Sequence, residues 1–105
     1  MQNTNLHELE LNIGYTFKNI EHLKTALTHS SYSNELKLKG IIIECNERLE
    51  FLGDSVLSNI AADYLFNKYP TFPEGELTRR RAVIVCRDAL SSYAKKFSLG
   101  DFLFL

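Results

Sequence analysis

The decisive stretch is Glu44-Cys45-Asn46-Glu47-Arg48-Leu49-Glu50-Phe51-Leu52-Gly53-Asp54-Ser55-Val56-Leu57, which continues without a break to Tyr69. Leu49, Leu52, Val56 and Ile60 recur at the spacing of one helical face. Phe51, Leu57, Ala61, Ala62, Leu65 and Phe66 spread over much of the remaining circumference. A helix that is apolar nearly all round predicts a central, buried element, here from Glu44 to Tyr69. Pro70 and Pro73 stop it, because proline lacks the amide hydrogen and clashes with the preceding turn.

The same segment carries Glu44, Glu47, Glu50 and Asp54. At 100° per residue, Glu47, Glu50 and Asp54 fall within an arc of about 60°, nearly opposite the Leu49/Leu52/Val56 stripe. Three carboxylates on so narrow a stripe repel one another and resist desolvation, so water, a basic partner or a divalent cation must compensate them. Hard oxygen donors at this spacing suit Mg²⁺ or Mn²⁺ better than zinc, while a plain solvated face is the alternative that spacing leaves open. Gly53 in mid-helix costs about 1 kcal/mol relative to alanine, and predicts close approach by another helix or a ligand.

Outward from this helix the chain is lightly punctuated, with five glycines and two prolines in 105 residues. That favours helices joined by short turns. Asn5 or Thr4 caps a first helix through Leu6, Leu9, Glu10 and Ile13, ended by the Gly14–Phe17 stretch. A second runs from Asn19 to His29. Residues 30–43 read as loop or as a helix extension. Two more helices follow, Glu74–Val85 and Arg87–Ser98, with Leu99-Gly100 as a stop. Only Ile41–Ile43 and Phe102–Leu105 hint at strand, and the expected class is all-α.

Composition narrows the rest. With 45% hydrophobic and 24% charged residues the chain matches folded soluble proteins rather than disordered or fibrous ones. No apolar run approaches the roughly 18 residues that span a bilayer, and the polar start does not read as a signal peptide, so a cytoplasmic protein is expected. Cys45 and Cys86, with three histidines, match no zinc spacing and predict free thiols. The net charge of −1 hides segregation. From Glu44 to Asp63 there are five acids and one base; from Arg79 to Lys96 there are six bases and one acid. The basic segment reads either as a solvated face, with Arg81 paired internally, or as a surface for phosphate.

Asn46 to Asp54 spells NERLEFLGD and resembles the hallmark motif of the ribonuclease III family. Three further stretches sit where that family has them: Ala26-Leu27-Thr28-His29-Ser30-Ser31-Tyr32, Glu74-Gly75-Glu76-Leu77-Thr78 with Arg81-Ala82, and Leu99-Gly100-Asp101. The resemblance covers about Leu9 to Leu105. It implies a metal-dependent endonuclease that cuts double-stranded RNA to 5′-phosphate and 3′-hydroxyl ends, acting on ribosomal precursors and other duplex transcripts. Glu50 and Asp54 match two of four carboxylates that hold catalytic Mg²⁺ (or Mn²⁺). Glu47 and Glu74 match acids near the RNA, Arg79 and Arg80 become candidate phosphate contacts, and Phe51 matches an aromatic that inserts into the partner of a homodimer. His29 reads as a structural, hydrogen-bonded residue. No small-molecule cofactor and no membrane are expected.

The family's catalytic domain continues into a helix with the other two acids, in a D-x-x-E arrangement that residues 1–105 do not contain. The expectation is therefore a partial ribonuclease III catalytic domain, without a double-stranded-RNA-binding domain, weak or inactive alone and with apolar surface exposed. A non-catalytic RNA-binding or assembly module built on the same helices is the alternative.

Overall fold

Asn5 accepts a hydrogen bond from the backbone N–H of Glu8 and starts α1 (Leu6–Ile13), which Gly14 ends in the left-handed region at φ 74°. The structure is a computed structural model describing residues 5–105, so Thr4, the other candidate cap, lies outside the described residues. Asn19 caps α2 (Ile20–Leu27) in the same way, accepting from the N–H of Glu21. Then come α3 (Ser30–Leu38), α4 (Glu47–Lys68), α5 (Glu74–Ile84), α6 (Arg87–Lys96) and a 3₁₀ turn, Leu99–Phe102. The protein is all-α. Among the described residues the one β-type pairing is an isolated bridge between Thr28 and Phe104.

Two expectations change here. Residues 30–38, open between loop and helix extension, form a separate helix, because His29 acts as the cap: its Nδ1 accepts from the N–H of Ser31 at 3.1 Å. Ile41–Ile43 form no strand, and the long helix begins at Glu47, leaving Glu44 in the preceding loop.

The core gathers Leu6 and Leu9 of α1, Leu23 and Leu27 of α2, and Phe102, which is 1% exposed. Ile13, Phe17, Ile20, Phe97 and Leu99 pack around it. Both ends of the chain therefore build one cluster. Backbone bonds seal it: Phe104 N–H to Leu27 C=O at 3.0 Å and His29 N–H to Phe104 C=O at 2.9 Å. Asn12 adds a side-chain bond to the carbonyl of Phe97 at 3.0 Å. Glu10 is buried at the edge of this cluster, its carboxylate taking the N–H of Phe17 at 2.6 Å, which satisfies the charge and pins the approach to α2.

The long helix is not buried. Of its residues only Ala61 and Leu65 are covered, whereas Phe51 is 81%, Ile60 61% and Leu52 58% exposed. Its C-terminal half packs on α5, and its N-terminal half projects. The radius of gyration is 16.6 Å, against about 13 Å for a compact domain of 100 residues, and the longest dimension is 56 Å. Periodicity correctly located the apolar residues, but no other described element lies over them. A Cβ placed at Gly53 meets nothing within 4 Å, so the close approach expected there is not made by this chain.

Because Phe102 is 1% exposed at the centre of the core shared by α1, α2 and the 3₁₀ turn, Phe102→Ala is expected to cost about 3–5 kcal/mol. Phe51→Ala on the bare half of α4 should change monomer stability by less than about 0.5 kcal/mol. Urea unfolding of both variants at low protein concentration checks the contrast.

Candidate metal and RNA site

Asn46, the first residue of NERLEFLGD, sets where α4 starts. Its backbone N–H donates to Thr28 C=O at 2.9 Å, and its side-chain amide donates to Ala26 C=O at 3.1 Å. Its own carbonyl accepts the first bond of the helix, from Glu50 N–H, at 2.8 Å. The N-terminus of α4 is thereby moored to the last turn of α2, whose end carbonyls need donors.

From that start the helical period decides which way the acids face. Ala61 and Leu65, the buried pair, lie within about 30° of the centre of the Glu47/Glu50/Asp54 stripe. The carboxylates thus face the side on which the chain folds back, and the Leu49/Leu52/Val56/Ile60 stripe faces away. Glu47, Glu50 and Asp54 line one open concavity of about 680 Å³, with Leu90 of α6 across from them. No described residue gives these three carboxylates a hydrogen bond or ion pair; Arg48, the nearest base in sequence, reaches back to Glu44 at 4.0 Å.

Glu50 and Asp54, at i and i+4, stand one above the other on the helix surface. Unneutralised hard-oxygen donors beside open, water-accessible space fit a small divalent ion that keeps part of its hydration shell. Among the described residues no group of three or more Asp, Glu, His or Cys side chains is gathered closely enough to hold a metal. The carboxylate pair is what the chain offers.

The other candidates sit apart from that concavity. Glu74 lies in the first turn of α5, where its carboxylate accepts from the Thr78 hydroxyl at 3.0 Å, and it lines a different cleft between α4 and α5. Arg79 and Arg80 both bond Glu76, at 2.6 Å and 2.8 Å. The Arg80 guanidinium also lies 4.7 Å from the Phe72 ring centre and 5.1 Å from that of Tyr69. Those two rings are stacked, 4.6 Å apart and 4° from parallel, so Arg80 clamps the elbow between α4 and α5. Arg81, paired internally in one of the two readings of the basic segment, makes no side-chain bond to a described residue. Phe51, by contrast, lines the acid concavity and is exposed, and Cys45 and Cys86 are free thiols.

Glu76 and its aromatic neighbours were not singled out from sequence. The signal existed: a glutamate three and four residues before two arginines is the favoured order for helical ion pairs. The hydrogen bonds from Arg79 and then Arg80 hold the Glu76 carboxyl well below its ordinary 4.5, at about 2.

Against known proteins, a family model described as Ribonuclease-III-like matches residues 19–105. The chain belongs to the ribonuclease III family. It is 52% identical over 98 residues to Ribonuclease 3 of Clostridium acetobutylicum, covering 93% of this chain and 41% of that protein. With Ribonuclease 3 of Listeria monocytogenes it shares 48% over 96 residues, 91% of this chain and 41% of the relative. The chain thus spans about two fifths of the length of these curated relatives. Among solved structures, the nuclease domain of ribonuclease III from Campylobacter jejuni superposes with a TM-score of 0.85 at 38% identity, covering 96% of this chain and 65% of that one. That structure is described for flexibility in a region involved in dimer formation. A second structure of the same nuclease domain gives a TM-score of 0.84 at 37% identity, covering 98% of this chain and 65% of that one.

A carboxyl depressed by cation partners stabilises the fold fully above its unfolded value of 4.5, and that contribution disappears as pH falls towards about 2. Side-chain carbon NMR should therefore place the Glu76 midpoint near 2 in the native chain and near 4.5 once Arg79 and Arg80 are both replaced by alanine.

Proposed function

We propose that this ribonuclease III-family chain carries the first acid pair of a metal-dependent endonuclease that hydrolyses double-stranded RNA to 5′-phosphate and 3′-hydroxyl ends. The observation that supports this best is Glu50 and Asp54, one turn apart, lining the same concavity with no protein cation to neutralise them. Residues 1–105 read as the N-terminal part of that catalytic domain, and ribosomal precursors and other structured transcripts in the cytoplasm are its proposed substrates.

In this reading Glu50 and Asp54 would hold Mg²⁺, or Mn²⁺, as hard oxygen donors. When bound, such an ion neutralises charge on the scissile phosphate and supplies hydroxide near neutral pH. The chain's own residues do the positioning. Asn46 fixes the height of both acids above α2. Glu47, one turn before Glu50, lines the same concavity and would face the RNA, and Leu57 and Leu90 give the concavity apolar walls. Glu74 addresses the RNA from the neighbouring cleft. Arg79, with 64% of its side chain exposed, is the better placed of the adjacent arginines to meet a phosphate, while Arg80 holds the α5 surface in place.

Bare apolar surface on α4 favours a homodimer in the same reading: the outward Leu49/Leu52/Val56/Ile60 stripe, and, on the flank beside the acids, exposed Phe51, which would insert into the second copy. Exposed, contiguous apolar surface of this kind marks an interaction site in folded proteins.

Manganese titration followed by water-proton relaxation should detect weak binding that Asp54→Asn and Glu50→Gln each remove and Asp88→Asn leaves intact; equal binding by all four chains would sink the assignment. With one acid pair only, the 105-residue chain should cut long RNA duplex slowly in Mg²⁺, and fast cleavage abolished by Asp54→Asn would overturn that expectation. Sedimentation equilibrium should give self-association that Phe51→Ser weakens by about tenfold, and a monomer throughout a millimolar series would count against the dimer.

A further inference from the structure

Three consecutive arginines on α5 have different fates. Arg79 and Arg80 share Glu76, and Arg80 is also laid against two rings. Arg81 turns instead into the cleft between α4 and α5, about 420 Å³ in volume, and bonds no described side chain. It is half-buried, and it stays unpaired although Asp63 and Glu74 line the same cleft. Both acids lie beyond the 4.0 Å of an ion pair from it, and both have acceptor capacity left. Asp63 takes only the amide of Asn67, at 3.3 Å, and Glu74 only the hydroxyl of Thr78, at 3.0 Å. Asn59 completes the polar rim, above a floor that includes the buried Leu65.

An unpaired guanidinium beside two carboxylates with acceptor capacity left defines the chemistry of an occupant. It must carry an anionic oxygen for Arg81 and, a few ångströms away, a hydroxyl hydrogen for a carboxylate. A simple anion would be repelled by the two acids, and a simple cation by the arginine. A ribose with its phosphate satisfies both at once, and RNA duplexes are read chiefly through phosphate and 2′-hydroxyl contacts. The planar arginine fork suits phosphate, and an ionised carboxylate is the strongest acceptor available for a hydroxyl.

We infer that the α4–α5 cleft binds one ribose–phosphate unit of an RNA strand, Arg81 holding the phosphate and Asp63 accepting the 2′-hydroxyl. This rests on the reading of the chain as a double-stranded RNA nuclease and adds to it a means of rejecting DNA. The cleft is separate from the Glu50/Asp54 concavity, so binding can be measured without cleavage.

The test is fluorescence anisotropy of the full chain, in EDTA, with an RNA duplex, the DNA duplex of the same sequence, and the RNA duplex with 2′-O-methyl groups throughout. The unmodified chain should prefer RNA over both other duplexes. Asp63→Ala should lower that preference about tenfold by weakening RNA binding alone, as loss of one hydrogen bond to a charged group does. Arg81→Ala should weaken RNA and DNA alike and reduce the salt slope by about one. Should Arg81→Ala melt early, Arg81→Gln serves, with the same expected change in slope. If the unmodified chain binds RNA but Asp63→Ala keeps its full preference, or the Arg81 variants keep the full slope, the cleft assignment fails and the nuclease reading stands. Absence of RNA binding by the unmodified chain overturns both.

Discussion

Two hydrogen bonds from Asn46 to the end of α2 set the geometry on which the acid stripe of α4 depends. They fix both the position and the rotational phase at which α4 begins. One residue of slippage would turn every α4 side chain by about 100° and carry Glu50 and Asp54 out of their concavity. The carbonyls of Ala26 and Thr28 would at the same time lose their donors. The residue that opens the hallmark motif is thus a structural mooring, and the acids downstream inherit their geometry from it.

The phase so imposed turns the usual amphipathic arrangement around. Ordinarily a helix points its apolar stripe at the body of its own chain. In α4 the carboxylates share the side of Ala61 and Leu65, and Leu52, Val56 and Ile60 look outward. An arrangement like this is unfavourable for an isolated chain and reasonable for a subunit or for part of a larger body, where a second surface covers the outer stripe. It also leaves the acids lining an open concavity.

Much of this was legible beforehand, and the physical reasons differ by element. Asn5, Asn19 and the Pro70/Pro73 pair announce helix ends through local chemistry, and the helices end there. The NERLEFLGD stretch carried the family. Local signals did not decide between loop and helix for α3, because its start depends on a histidine side chain folding back on Ser31. They did not reveal that α4 is bare, because periodicity reports where apolar side chains point and not what covers them. Counting charges marked Arg79 to Arg81 as a block of cations. Only geometry separates two arginines already engaged by Glu76 from a third that is free.

The joining of both chain ends in one core has a consequence for the order of assembly. Leu6, Leu9, Leu23 and Leu27 are synthesised early, yet the cavity between them is filled by Phe102 and closed by the backbone of Phe104. Contacts spanning most of the sequence form late, since the loop they close must be ordered first. The α4–α5 pair, joined through a short elbow, has no such wait. During translation the first three helices would therefore emerge as a sticky, half-finished layer, held open until almost the last codon of this stretch has been read. A chaperone would find its substrate in that interval.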